Sequence, residues 1–220
     1  AITPVSPGYV DTITKKYGVK RSKIHVVRGG VDLTIFKQSA SQQKTGKKFT
    51  ILYSGAFSIG YDFDQVLKAA KIVEAKEREV EFILQGKGEL VNYLRSRIKE
   101  MNIENVRVID KVINRAEVAK SLNQVDTLIL PLADYGTPYH GMSSKLYEYQ
   151  AVGKPIICCA DGQPAEYVTE TKSGVVVKPG DFNGLAQAVL YLYHNQKTAR
   201  QLGEAGQRFV KETLSIEKIG

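Results

Sequence analysis

Cysteine is scarce in this sequence of 220 residues, and its two cysteines, Cys158 and Cys159, are neighbours. Adjacent side chains of a strand point to opposite faces, so a disulfide between these two would be strained. The pair therefore excludes a disulfide framework and favours a cytoplasmic protein in which both are free thiols. No spacing of Cys and His residues is typical of a metal site.

Long apolar runs are also absent, since none approaches the roughly 18 residues of a membrane-spanning helix. The hydrophobic fraction of 43% and the charged fraction of 25% are those of an ordinary globular protein. The net charge is +8, but the basic residues are spread along the chain. They do not form the stripe of aromatic and basic residues that is typical of a nucleic-acid-binding protein. We therefore expect no nucleic-acid partner. A solvated surface explains the charge, and attraction to phosphates or anionic membranes is the alternative.

Short apolar runs alternate with amphipathic stretches along the chain. The pattern predicts strands at 49–54, 80–84, 106–109, 125–130, 156–159 and 174–177. It predicts helices at 64–76, 90–101, 115–122, 144–152, 164–169, 181–194 and 198–210. This alternation indicates an α/β fold, a parallel sheet with helices on both faces. Such sheets bind ligands at the carboxyl ends of their strands, so the loops there should line a site.

The long loop after the fourth predicted strand leads into a helix that opens with Ser143 and Ser144. A helix N-terminus favours an anion such as a diphosphate, and the serines would equally serve as caps. Lys145 and Glu148 lie one turn apart and share a face. Lys145 suits a phosphate and Glu148 suits a vicinal diol such as a ribose. The alternative is a salt bridge between the two, which would contribute little stability.

The run from Gly141 to Pro155 reads GMSSKLYEYQAVGKP and resembles the donor-site motif of family-4 retaining glycosyltransferases. Other matches follow in the family's order: a hinge segment at 26–36, glycine turns at 53–55 and 85–88, a third strand and its loop at 105–112, and a closing strand and turn at 174–181. The resemblance implies the C-terminal half of a GT-B fold, a Rossmann-like parallel sheet of about six strands that binds a nucleotide sugar. It divides the chain into the end of an acceptor domain with the hinge at 1–38, a linker at 39–48 and the nucleotide-sugar-binding domain at 49–220. The acceptor domain itself would be missing.

The same resemblance implies which residues form the site. Lys145, Glu148 and His140 are the expected catalytic residues, with Lys145 at the diphosphate, Glu148 at the ribose and His140 where many members have a carboxylate. The expected nucleotide-sugar-binding residues are Gly55, Ala56, Gly86, Lys87, Val112, Met142, Ser143, Ser144, Lys145 and Glu148. Two basic groups that the family usually carries after the first strand are absent, since Ala56 and the run 57–60 stand there. The alternatives are no role for His140 and an ordinary turn lysine at Lys87.

The resulting prediction is the donor-binding domain of a retaining glycosyltransferase, inactive alone, that transfers a hexose-type sugar to a glycan or lipid-linked acceptor. A UDP- or GDP-sugar is the expected donor, and neither a cofactor nor a metal ion is expected. We expect the enzyme to lie in the cytoplasm and to act in polysaccharide assembly. Peripheral association of the full enzyme with a membrane is left open. A GT-B nucleotide-sugar epimerase and a non-catalytic nucleotide-binding module are the alternatives. A dehydrogenase is disfavoured, because the run 86–88 lacks the third glycine and the distal acid of a dinucleotide site.

Overall fold

Six parallel strands form one sheet in a computed structural model that describes residues 1–39 and 48–219. Most of the predicted linker at 39–48 lies outside the described residues. The strand order is β3-β2-β1-β4-β5-β6. The strands are β1 (Phe49–Ala56), β2 (Val80–Lys87), β3 (Val106–Asp110), β4 (Thr127–Pro131), β5 (Ile156–Cys159) and β6 (Gly174–Val177). The predicted parallel α/β sheet is therefore confirmed.

The helices between successive strands are α2 (Phe63–Lys76), α3 (Val91–Glu100), α4 (Arg115–Asn123), α5 (Ser144–Ala151) and α6 (Gln163–Glu170). After β6 come α7 (Phe182–His194), α8 (Gln196–Thr213) and the short α9 (Ile216–Ile219). Helix α1 (Tyr9–Tyr17) and a 3₁₀ turn (Arg21–Lys23) precede the sheet. The sequence analysis does not include α1, a helix of nine residues none of which is buried. No helix in the described parts of the chain is both long and apolar enough to cross a membrane.

An apolar layer covers each face of the sheet. Alternate residues of β1 divide between the layers: Ile51 and Tyr53 pack with α2, α3 and α7, whereas Leu52 packs with α4, α5 and α8. Cys158 and Cys159 divide in the same way, and both are buried free thiols as predicted. Burial raises the pKa of the Cys158 thiol to about 12. Both thiols therefore behave as small core side chains.

The first 39 residues pack onto this sheet domain at several points. The Val31 N–H donates to the Leu214 carbonyl oxygen at 2.9 Å, and Phe36 is 1% exposed within the α5 layer. The buried Ser6 hydroxyl donates to the His140 carbonyl oxygen at 2.6 Å. The N-terminal segment thus contacts the loop that leads into α5.

Gly86 offers a test of the close approach between β1 and β2. Its φ is +154°, and a Cβ there would overlap the carbonyl oxygen of Gly55 on the paired strand. We expect Gly86→Ala to lower the free energy of unfolding by about 3 kcal/mol or more, because the clash adds to a strained backbone that alone costs about 1–3 kcal/mol. Urea denaturation measures this loss.

Gly136→Ala is the matched control. Gly136 also has a positive φ, +70°, but no atom lies within 4 Å of its would-be Cβ. Its replacement should cost only the backbone strain, about 1–2 kcal/mol. Equal losses in the two variants would contradict the steric account of Gly86.

Candidate functional site

A cleft of about 430 Å³ lies at the carboxyl ends of β1 and β2, beside the start of α5. Clefts of similar volume occur elsewhere on the chain, so size does not distinguish this one. The position of this cleft in the fold distinguishes it from the others. The strand order reverses direction between β1 and β4, and open α/β sheets bind ligands at such a switch point. The lining residues are Ser54, Gly55, Ala56, Gly86, Lys87, Lys111, Val112, Ile113, Val118, Ser144, Lys145 and Glu148.

Helix α5 begins at Ser144, with Ser143 as its N-cap residue. The Ser143 side chain makes no capping hydrogen bond, so the capping role considered for these serines is wrong for Ser143. Its carbonyl oxygen accepts from the Leu146 N–H at 3.1 Å. Ser144 and Lys145 line the cleft, so the first amides of the helix, which have no partner within the helix, are close to it. This end of α5 has the arrangement that favours an anion.

Lys145 crosses the end of β1 directly above Gly55. A Cβ on Gly55 would overlap the Lys145 side chain and lie 2.9 Å from its Nζ. The Nζ donates to the Tyr61 hydroxyl oxygen at 3.1 Å and lies 5.3 Å from the centroid of the Tyr61 ring. In the described part of the chain, no carboxylate lies within 4.0 Å of this ammonium. Tyr61 therefore holds a cation at the cleft without neutralising it.

Glu148 lies one turn further along α5, with 20% of its side chain exposed at the cleft. Burial raises the pKa of its carboxyl above the ordinary value, and the charges of Arg115 and Lys145 act in the opposite direction. The Arg115 Nη2 lies 3.5 Å from the Glu148 Oε1. The alternative of a Lys145–Glu148 salt bridge is therefore wrong, because Lys145 bonds to Tyr61 and Glu148 pairs with Arg115.

The opposite wall of the cleft consists of the ends of β2 and β3. Val112 is 73% exposed and presents an apolar side chain there. The Lys111 N–H donates to the Gly86 carbonyl oxygen at 3.0 Å, and the Phe57 N–H donates to the Lys87 carbonyl oxygen at 2.9 Å. These bonds fix the loops to the strand ends, so a planar ring between them would meet an apolar side chain and ordered main-chain groups.

Three predicted site residues do not line the cleft. His140 is exposed, and its carbonyl oxygen is engaged by Ser6. Met142 packs against the apolar layer of α5, and Ser143 precedes the helix outside the lining set. The roles of these three residues in ligand binding stay predictions. The structure brings the other predicted residues together, from Gly55 and Ala56 to Lys145 and Glu148.

The predicted site does not include the two residues that contact the charged side chains of α5 at the cleft, Tyr61 and Arg115. Tyr61 is 84 positions from the Lys145 that it holds, and no local pattern links an aromatic residue to a distant lysine. The sequence gives a weak indication of the position of Arg115, because Asn114 and Glu117 form a capping box and α4 begins at Arg115. That motif places Arg115 at a helix start, but it does not show which carboxylate the arginine meets.

The one Asp-x-Asp run of the sequence, Asp62–Phe63–Asp64, bears on the expectation that no metal is bound. Asp62 caps α2 by accepting from the Gln65 N–H at 2.9 Å, and Asp64 accepts from the Tyr93 hydroxyl at 2.8 Å. Neither lines the cleft. Within residues 1–39 and 48–219, no group of three or more His, Cys, Asp or Glu side chains is arranged to hold a metal ion. Both carboxylates of the run have partners within the fold.

The whole architecture matches a known family. The family model of the glycosyl transferases group 1 matches residues 34–209, which is most of the chain. The chain belongs to the group 1 glycosyl transferases. Over 157 residues it is 26% identical to the 2-deoxystreptamine N-acetyl-D-glucosaminyltransferase of Niallia circulans, an alignment that covers 71% of this chain and 39% of that relative.

Solved structures show the same fold at low identity. Anabaena HepE in complex with UDP matches with a TM-score of 0.85 and 16% identity, over 99% of this chain and 60% of that one. The C-terminal domain of the group 1 protein LpcC from Francisella tularensis matches with a TM-score of 0.71 and 16% identity, over 85% of this chain and 100% of that domain. The fold is therefore that of the C-terminal domain of a GT-B glycosyltransferase, as predicted. The chain spans 39% to 46% of the lengths of three curated relatives.

Glu148 gives this glycosyltransferase domain a testable pH dependence of stability. Because its pKa is raised, the folded chain binds this proton more tightly than the unfolded chain does. Stability therefore falls as pH rises from the ordinary carboxyl pKa of about 4.3 through the raised value. We expect Glu148→Gln to raise the free energy of unfolding at pH 8 and to change it much less at pH 4.

Urea denaturation of the wild type and the variant at both pH values measures this difference. Glu204→Gln, which changes an exposed glutamate of α8, should shift the free energy of unfolding by less than about 0.5 kcal/mol at either pH. A Glu148→Gln variant that is less stable than the wild type at pH 8 would show that burial does not dominate at this carboxyl.

Proposed function

We propose that the chain is the nucleotide-sugar-binding domain of a retaining glycosyltransferase that takes a hexose-type sugar from a UDP- or GDP-sugar. The observation that carries this proposal is one cleft in which Lys145 and Glu148 of α5 meet the glycine ends of β1 and β2. Anabaena HepE, which has the same fold, was crystallised with UDP, and this supports a nucleoside diphosphate as the ligand. The acceptor is a glycan or a lipid-linked sugar in this proposal.

The diphosphate would bind across the start of α5. In sugar transfer with retention, the bond between the anomeric carbon and the diphosphate oxygen breaks, an acceptor hydroxyl oxygen bonds to that carbon, and the hydroxyl proton passes to the departing diphosphate. Negative charge grows on the departing diphosphate, so preorganised donors at that point lower the barrier. The Lys145 ammonium, held by Tyr61, and the first amides of α5 are such donors.

Few other cations are available to share this charge. Ala56 stands where the resemblance predicts a basic residue. Lys87 and Lys111 line the far side of the cleft, and the Lys111 Nζ already lies 3.3 Å from the Glu117 carboxylate. Lys145 is therefore the principal phosphate-binding cation in this proposal.

The nucleoside would extend from the diphosphate toward β3. Glu148, one turn along α5 from Lys145, would accept hydrogen bonds from the ribose hydroxyls. The exposed Val112 side chain and the main chain around Lys111 would contact the base. Contacts through main-chain groups and an apolar side chain would bind the ring while leaving UDP and GDP both acceptable.

Transfer also needs an acceptor site. The lining residues account for a nucleotide and a diphosphate, and we assign the acceptor to a separate domain that precedes residue 1 in the full enzyme. The 220-residue chain would then bind donors without transferring sugar. We propose a cytoplasmic enzyme of polysaccharide assembly that associates peripherally with the membrane as the full enzyme.

Calorimetric titration of the chain with UDP, GDP and ADP tests this function. We expect at least one of the three to bind, and Lys145→Ala to weaken that binding by about tenfold or more, because a charge-assisted contact contributes about 1.5–3 kcal/mol. Lys197→Ala on α8, near a cleft at the amino ends of the strands, is the control and should bind as the wild type does. Absence of binding by all three nucleotides would contradict the proposal.

In the full enzyme, a product assay without acceptor separates a transferase from an epimerase.

A further inference from the structure

Arg115 joins the cleft to the hinge segment. Its Nη2 lies 3.5 Å from the Glu148 Oε1, and its Cζ lies 5.0 Å from the centroid of the Phe36 ring. Phe36 is 1% exposed, so the platform under the guanidinium is fixed. The Asn114 and Glu117 capping box holds the start of α4, with hydrogen bonds of 2.9 and 3.0 Å. The Arg115 side chain, which is 60% exposed, therefore lies between Glu148 of α5 and Phe36 of the hinge segment.

Glu148 depends on this neighbour more than an exposed glutamate would. Its side chain is 20% exposed, and within the described residues its carboxylate forms one ion pair, that with Arg115. The other charged groups that face the cleft are Lys145 on α5, Lys87 at the end of β2 and Lys111 after β3. Of these, Lys145 is directed to Tyr61 and Lys111 to Glu117. Burial without a paired cation favours a protonated carboxyl, which is a poorer acceptor for a diol.

We propose that Arg115 is a positioning residue that keeps the Glu148 carboxylate ionised and oriented to accept the ribose hydroxyls. Through Phe36, Arg115 also links that carboxylate to the hinge segment. This inference rests on the proposed nucleotide site. Arg115 acts on the nucleoside through Glu148 and contributes nothing to the diphosphate, so ligands with and without a ribose separate its role from that of a phosphate-binding arginine.

Titration with UDP and with inorganic pyrophosphate gives the first test, and GDP or ADP replaces UDP throughout if only that nucleotide binds the wild type. We expect Arg115→Ala to weaken UDP binding by about threefold to fivefold, the range for a partly exposed ion pair, and to leave pyrophosphate affinity within about twofold. Arg115→Lys should recover part of the UDP affinity, because lysine restores the positive charge but lacks the planar guanidinium group of arginine. Arg78→Ala removes the same charge beside the cleft at the amino end of β2 and should change neither affinity.

The pH profile of UDP binding gives the second test. UDP affinity of the wild type should fall as pH decreases and Glu148 becomes protonated. In Arg115→Ala that fall should begin at a higher pH, since loss of the cation raises the pKa of Glu148 further. The titration of UDP itself is common to all variants and cancels in their ratio. In a Glu148→Gln background, Arg115→Ala should have no further effect on UDP affinity at any pH.

The outcomes distinguish this inference from the proposed function. If the wild type binds none of the three nucleoside diphosphates, the proposed function itself fails. If the wild type binds UDP but Arg115→Ala matches it at every pH, only the role of Arg115 is wrong. Equal weakening of UDP and pyrophosphate in Arg115→Ala would assign Arg115 to the phosphates and overturn the inference.

Discussion

Lys145 reaches the cleft by crossing the main chain of β1, and it can do so only where that strand has no side chain. Gly55 provides this gap, and the strand register pairs Gly55 with Gly86 of β2. Two glycines side by side therefore form the floor beneath the start of α5. Backbone without Cβ atoms lets a ligand approach closely, and the amides of a helix start favour an anion at the same point. The other groups of the site are arranged around this floor.

Helix α5 keeps its orientation through buried polar contacts on the side that faces away from the cleft. The Tyr149 hydroxyl accepts from the Ser54 N–H at 3.4 Å and donates to the Ile129 carbonyl oxygen at 3.5 Å, which links the helix to β1 and β4. The Gln150 amide accepts from the Tyr167 hydroxyl at 2.6 Å. Burial raises the pKa of the Tyr149 hydroxyl, so it stays neutral in this position. Residues of the motif that look polar in sequence thus fix the helix, whereas Lys145 and Glu148 face the cleft.

Periodicity predicts the centre of the sheet well because β1, β4 and β5 are buried on both faces and form short apolar runs in the sequence. Ile156–Cys159 is such a run, and its predicted bounds are those observed. Strand ends are harder to place: β2 continues to Lys87 because its polar end still pairs with Gly55 and Ala56 of β1. Contacts between residues far apart in the sequence produce no local sequence pattern. The Tyr61–Lys145 bond and the Arg115–Glu148 pair join residues on separate elements, so only the assembled sheet reveals them.

The N-terminal segment meets the site from two directions. Ser6 donates to the carbonyl oxygen of His140, in the loop that leads into α5, and Phe36 underlies the arginine that pairs with Glu148. Gly8 reinforces the first contact, because a Cβ there would lie 2.6 Å from the His140 carbonyl oxygen. A displacement of residues 1–39 would therefore alter both the start of α5 and the environment of Glu148.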